Sequence, residues 1–529
     1  MDPATLHMLD ATALLAALRQ REVSSVEIVD ALIARRQRVD GQVGAFTTQL
    51  DAQARLQAQA ADERRRHSPE SELGPLHGLP LTIKDNIDVR GTDSTLGLRS
   101  RLNQPAEQDA VVVKTLRAAG AIVLGKTNVP QLLLVQESDN AVYGVTHNPF
   151  HTGRSPGGSS GGEAAALASG QSPLGIGTDI GGSIRIPAHF CGVCGLKPTL
   201  DRWSMRGVRG GIPGQEVVRS QSGPLARTVR DLTLCMTALD PKRQYRDDPA
   251  VAPLPIGDPE AVALRGLRIG VSEDDGFLTP APTIQRAVRA AAQALRDAGA
   301  TLVPYQPARV KELCHLWFSV ISSDGGQTLR RQLSRDPVCK QLRPSMYMTL
   351  MPGPLRQGLA RVLDARGEHR LAEMLRTLGS KHIADLWQLT AQRTALRQGE
   401  FDAWNALELD AVLMPPHVLP AMPLGTSGDL TLTLTYMFRY VMLNFPAGIV
   451  PVTRVRRDET DWEGPRPLDS LSRRCAEVMR GAAGLPVGVQ VAARPYREDV
   501  ALAVMGAIEA RLQTDPEFPR TPIDPALPA

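Results

Sequence analysis

Residues 153–195, GRSPGGSSGGEAAALASGQSPLGIGTDIGGSIRIPAHFCGVCG, carry far more glycine than the rest of the chain. Glycine tolerates positive φ and lets backbone approach a ligand closely. Two of the glycine clusters contain serine, Gly157–Gly162 and Gly181–Ser183, and both read as loops with N–H groups free to point at a ligand. Between them, Glu163–Ser169 reads as an alanine-rich helix, small enough in side chain to pack tightly inside a core. A flexible Gly/Ser linker would not contain the apolar run LGIGTDI or the Ile184–Ile186 pair, so this segment is expected in a folded interior.

The rest of the sequence supplies a frame for it. Short apolar runs bounded by Gly, Pro or Asp occur at Leu81–Ile83, Ala121–Leu124, Leu267–Val271, Ala411–Met414, Ile449–Val452 and Val487–Val491. Most are rich in Val and Ile and nearly continuous, as strands covered on both faces are. Helical patterns such as Asp109–Ala119 and Thr283–Ala298 separate them. Residues 10–66 read as helices, with Ser24–Ser25 as an N-cap. Alternating strands and helices predict one α/β domain with a central sheet, although length alone would suggest roughly three domains. Asp240–Pro259 reads as a surface linker and residues 453–470 as a polar loop.

Composition narrows the function. The 60 basic and 56 acidic side chains give a net charge of +4, without the clustered excess of a nucleic-acid binder. Six cysteines are too few for a disulfide scaffold in a chain this long, which favours a reducing compartment. The first residues, MDPATLHMLD, lack the basic and apolar regions of a signal peptide, and no apolar run reaches the length of a membrane span. A cytoplasmic location is expected, in solution or peripheral to a membrane.

Three familiar patterns fail on context. GAIVLGKT (120–127) fits the phosphate-loop spacing, but its variable positions are themselves strand-like. Gly157–Gly161 fits G-x-S-x-G, but no strand precedes it, and His315, His369, His382 and His417 lack a supporting motif and read mostly as surface residues. Cys191 and Cys194 form a C-x-x-C with no second pair, so packing is expected rather than a zinc site.

A longer pattern does hold. LPLTIKDNIDVRGTDSTLGL (79–98), SPGGSSGGE (155–163), SPLGIGTDIGGSIRIPAHFCGVCGLKPT (172–199), NFPAGIVPV (444–452) and GLPVGVQV (484–491) occur in order. Together they resemble the amidase-signature family, and within it the fatty acid amide hydrolase branch. The resemblance implies a single α/β domain over residues 1–529, a central mixed β-sheet surrounded by helices. It divides into N-terminal helices at 10–66, a catalytic signature region at 79–240 and a helical cap at 346–378.

It also implies a Ser–Ser–Lys triad. Ser183 corresponds to the nucleophile, Ser159 to the bridging serine that also meets substrate, with a cis peptide bond in the family, and Lys84 to the base. The N–H groups of Ile180, Gly181, Gly182 and Ser183 correspond to the oxyanion hole, and Thr178, Asp179, Arg185 and Ser160 to its supports. No metal or cofactor is implied. The chemistry is coherent: a serine hydroxyl needs an adjacent base, and lysine serves as one only when neutral, which burial beside Leu81 and Ile83 would favour. All three positions are filled, which argues against an inactive binding protein.

The implied reaction is hydrolysis of a fatty acid amide or another apolar acyl amide. The alternatives are an A-type amidotransferase component that works on transfer RNA and a general small-amide amidase; a homodimer is left open. Leu132–Val135 and the segment after Tyr347 are expected to form an acyl channel, more aliphatic than in the fatty acid amide branch. Within 352–378, Leu355, Leu359, Val362 and Leu363, then Leu371, Met374, Leu375 and Leu378, form two apolar stripes, with Arg356, Arg361, Arg366, Arg370 and Arg376 on the polar positions and Gly367 as the break. The segment reads either as a membrane-contacting cap or as an ordinary helical hairpin packed on the core.

Overall fold

The structure, a computed structural model, describes residues 1–525. Eleven strands make one sheet. They are β1 (Phe46–Gln49), β2 (Pro80–Lys84), β3 (Ile122–Thr127), β4 (Leu174–Asp179), β5 (Cys194–Lys197), β6 (Gln221–Ala226), β7 (Arg268–Val271), β8 (Thr301–Pro304), β9 (Ala411–Met414), β10 (Ala447–Arg454) and β11 (Pro486–Ala493). Their spatial order is β1-β3-β2-β4-β6-β5-β10-β11-β9-β7-β8. The sheet is mixed: β2 runs parallel to β3 and β4, and β7 to β8 and β9, while the other pairs are antiparallel. Helices surround it, the arrangement the resemblance implies.

All six apolar runs read as strands are strands, but β1, β4, β5, β6 and β8 went unread. Two of these, Leu174–Asp179 and Gln221–Ala226, contain glycine and little that favours a strand. Space explains the glycines. A Cβ on Gly175 would lie 2.1 Å from Glu163 Oε2, and one on Gly223 would lie 2.2 Å from the Leu196 carbonyl oxygen.

Residues 10–66 form the helices Ala11–Arg19, Ser25–Val43 and Asp51–His67, with β1 inserted before the last. Ser24 and Glu27 make a capping box at the second of them. Asp240–Pro259 is not wholly a linker. Asp240 caps a helix at Pro241–Asp247, with proline in the first turn, where its missing N–H costs nothing. GAIVLGKT falls largely on β3, where Lys126 is buried and its Nζ donates to Asp93 O and Ser94 Oγ, so no phosphate loop exists there. His417 is fully buried, against the surface reading, because Leu419, Gln136 and Thr433 occupy its two ring nitrogens. The Cys191 and Cys194 thiols are buried and donate to different carbonyl groups, those of Pro156 and Arg227.

The segment 352–378 is a helical hairpin, Gly353–Ala365 and His369–Thr377, broken at Gly367 with φ +79°. Its two stripes differ. Met374, Leu375 and Leu378 are buried, and Leu363 and Leu371 pack against the core, while Leu355, Leu359 and Val362 are exposed. Arg356 and Arg370 do not belong to the polar face: both are buried. Arg356 donates to Met351 O, and Arg370 pairs with Asp469. Outside the hairpin, Tyr347, Ile383 and Trp387 are also exposed. No helix among the described residues is long and apolar enough to cross a membrane.

One buried side chain ties distant parts of this fold together. Arg185 Nε and Nη2 donate to the two oxygens of Asp179 at 2.9 and 3.0 Å, Nη1 to Gln490 Oε1 on β11 at 2.7 Å, and Nη2 also to Met437 O at 2.9 Å. Both members of the pair are fully buried. Removing one partner of a buried pair strands the other charge, at a cost of about 3–5 kcal/mol. Arg185→Ala is therefore expected to lose about that much stability by urea denaturation; a loss below about 1 kcal/mol would show that the pair is dispensable.

Candidate active site

Because β2 and β4 are parallel neighbours, their carboxyl ends lie side by side, the edge at which α/β sheets bind ligands. Ile83 is opposite Ile176, so Lys84 emerges beside Thr178. Lys84 Nζ reaches Ser159 Oγ at 2.7 Å, Thr178 Oγ1 at 2.9 Å and Thr178 O at 3.3 Å. Ser159 lies in the loop before the helix Gly161–Ala168, and the Gly158–Ser159 peptide is cis. Ser160 N–H donates to Ser183 O at 3.0 Å and joins the two serine loops. Ser160 Oγ braces β4 at Thr178 O, 3.4 Å away.

Ser183 sits in the turn between β4 and the helix Arg185–Cys191. Gly182 takes φ +110° there, and a Cβ would lie 2.7 Å from Met437 Cγ, so only glycine fits. Gly182 N–H already donates to Asp179 Oδ1 at 2.7 Å, which removes it from the expected oxyanion donors. The amides of Ile180, Gly181 and Ser183 have no acceptor among the described residues, and neither does Ser183 Oγ have a hydrogen-bond partner.

Burial controls the charges. Lys84 is fully buried, and loss of hydration pushes its pKa down to about 7, although Asp179, Glu163 and Asp85 all favour the cation. Burial raises Glu163 to about 7 against the hydroxyls of Thr82 and Thr127, which donate to it at 2.6 and 2.7 Å. Burial would raise Asp179 too, but the Arg185 guanidinium, Lys197 and Gly182 N–H outweigh it and hold the carboxylate ionised. Lys197 is likewise lowered to about 7 by burial and by Arg185.

Ser159 and Ser183 open onto a cavity of about 300 Å³. Its apolar lining comes from Leu132–Val135, Ile186, Trp317, Ile321, Leu434 and Phe438, and also from Leu200, Met205, Val208, Ile212, Pro213 and Val218. Polar lining comes from Asn86, Asp201, Arg209, Gln215, Glu216, Arg219 and Ser220. Leu132–Val135 lie where the sequence put them, and Leu132 and Leu133 both take left-handed φ, +56° and +63°. The segment after Tyr347 does not line the cavity, because it lies in the peripheral helices. Trp317 and Phe438, stacked at 4.0 Å, were missed. Their helices lie far along the chain from the serine loops and carry no local motif. The cavity is thus less purely aliphatic than expected.

Residues 27–502 match the family model described as Amidase. The chain is 37% identical to fatty-acid amide hydrolase 1 of Sus scrofa over 514 residues, covering 96% of this chain and 86% of the relative. A solved structure of a fatty acid amide hydrolase superposes with TM-score 0.84 at 26% identity, covering 97% of this chain and 87% of that one. The chain is also 33% identical to a glutamyl-tRNA(Gln) amidotransferase component of Roseiflexus sp. (strain RS-1), over 98% of this chain and 99% of the relative. With a family match over most of its length and relatives this similar nearly end to end, the chain belongs to the amidase family and is an amide-hydrolysing enzyme.

Proposed function

We propose that the enzyme hydrolyses amides of apolar carboxylic acids through an acyl-enzyme on Ser183, with Ser159 as proton relay and Lys84 as base. The observation that carries this reading is the 2.7 Å contact between Ser159 Oγ and a lysine whose pKa burial brings to about 7. Ser183 Oγ attacks the carbonyl carbon and gives its proton to Ser159, whose own proton passes to Lys84 Nζ. The N–H groups of Ile180, Gly181 and Ser183 receive the developing oxyanion. The proton then returns through Ser159 to the amine as the C–N bond breaks. Water repeats the sequence on the ester and frees the acid. The relay requires Ser183 and Ser159 to draw together when substrate binds, as such contacts commonly do. Thr178 and Asp179 hold Lys84 and the glycine turn in place.

The apolar wall supports an acyl chain, and the fatty acid amide hydrolase relatives favour the same substrate class. The amidotransferase likeness favours a second reading. That reading gives the apolar wall no purpose, and turnover of acyl amides by the purified chain alone would decide against it. The exposed Leu355, Leu359, Val362, Tyr347, Ile383 and Trp387 support a reversible membrane contact near the helical hairpin.

Ser183→Ala is expected to abolish amide hydrolysis and fluorophosphonate labelling while the protein still folds; near-normal turnover would overturn the mechanism. For Lys84 the sign is fixed by its lowered pKa: below about 7 it is a cation and cannot take a proton. The rate should fall as pH drops through about 7 and level off above it. Lys84→Ala should lose that inflection and at least about 10²-fold in rate near neutrality, with partial recovery as hydroxide rises. A loss under about tenfold would exclude Lys84 as the base. Finally, the wild type should co-sediment with anionic liposomes at low salt, and Leu355→Glu with Leu359→Glu should weaken this. A wild type left wholly in the supernatant would make the hairpin a structural lid.

A further inference from the structure

We propose that the side-chain carbonyl of Asn86 accepts a hydrogen bond from the N–H of the scissile amide, making the enzyme selective for amides that carry one. This rests on the acyl-amide reading above. Asn86 lines the catalytic cavity and is 1% exposed. Its Nδ2 donates to Arg209 O at 2.8 Å, and Arg209 N–H donates back to Asn86 O at 2.8 Å. Its Oδ1 is buried with no partner among the described residues. Exchanging the amide ends would set Oδ1 against the Arg209 carbonyl, so the orientation is fixed. A buried acceptor without a donor costs about 1–3 kcal/mol and calls for an explanation in a folded chain.

The position supplies one. Asn86 lies two residues beyond Lys84, in the turn closed by the Ile87 N–H to Lys84 O bond of 3.0 Å. It is clamped to Arg209, which lines the same cavity. When Ser183 adds to the carbonyl, the nitrogen becomes pyramidal and its lone pair must face Ser159 to be protonated. Its remaining N–H then points elsewhere. An acceptor there holds the lone pair toward the relay, and no bond is made or broken at Asn86. Esters and N,N-disubstituted amides offer no such N–H and gain nothing from the contact.

The test uses one acyl group in three substrates: a secondary anilide, its N-methyl counterpart and the aryl ester. Wild type, Asn86→Ala and Asn86→Leu are compared by kcat/KM. Both variants should lose about tenfold on the secondary anilide, equivalent to one well-placed hydrogen bond, and less than about twofold on the other two. Retained ester turnover reports that the fold is intact. Equal losses on all three substrates, or no loss on the secondary anilide, would overturn the assignment. Should neither variant fold, the wild type still decides it, since turnover of the N-methyl anilide as fast as the secondary one would overturn it too. Ser159→Ala separates the roles: it should slow both anilides, because either amine needs a proton. A wild type that cleaves the ester but neither anilide would overturn the acyl-amide reading, and this assignment with it.

Discussion

Lys84 Nζ is surrounded by groups that argue both ways. Asp179, Glu163 and Asp85 would keep it charged, while complete burial strips the hydration a cation needs. Burial wins, and brings the amine to about 7. The result depends on how the carboxylates are themselves used. Asp179 is saturated by Arg185 and Gly182, and Glu163 is held by two threonine hydroxyls. Both still favour the ammonium form, but each already receives other donors. Had Asp179 lacked its guanidinium, Lys84 would face a far stronger pull toward the ammonium form. The sheet is arranged around this requirement: parallel β2 and β4 place the lysine against Thr178, under cover of the serine loops.

The residues that gather around Lys84 and Ser159 were legible in the sequence because they are packed into a few contiguous stretches. The residues from Ser155 to Arg185 carry both serines, the glycine turn and its supports, and Lys84 closes a strand that reads clearly on its own. The walls were not legible. Trp317 and Phe438 enter from helices with no local signature, and their meeting over Gly181 is a product of tertiary packing. Two of the strands that went unread, Leu174–Asp179 and Gln221–Ala226, failed for a related reason. Propensity treats glycine as a strand breaker, yet Gly175 and Gly223 are strand residues because neighbouring atoms leave no room for a Cβ. Burial of arginine was equally invisible. Arg356 and Arg370 look like surface charges in a helical projection, and only the structure reveals the carbonyl groups and the carboxylate that receive them.

The cavity mixes apolar and polar lining, and its parts touch one another. The 205–220 stretch packs on the Leu132–Val135 segment, for a Cβ on Gly211 would lie 2.1 Å from the Leu132 carbonyl oxygen. A substitution in that stretch therefore reaches Leu132, and one at Trp317 or Phe438 would disturb the stacked pair that backs Gly181.

Leu132 and Leu133 have a consequence for how such a chain can change over generations. Left-handed backbone at a bulky residue costs on the order of 1–2 kcal/mol each, and these two are consecutive. Glycine at Leu132 would relieve that strain but delete a fully buried leucine from the cluster of Leu98, Leu329, Leu333 and Leu342, at about 2–5 kcal/mol. The same exchange would enlarge the cavity that Leu132 lines. Packing thus holds this codon to leucine against the preference of its own backbone.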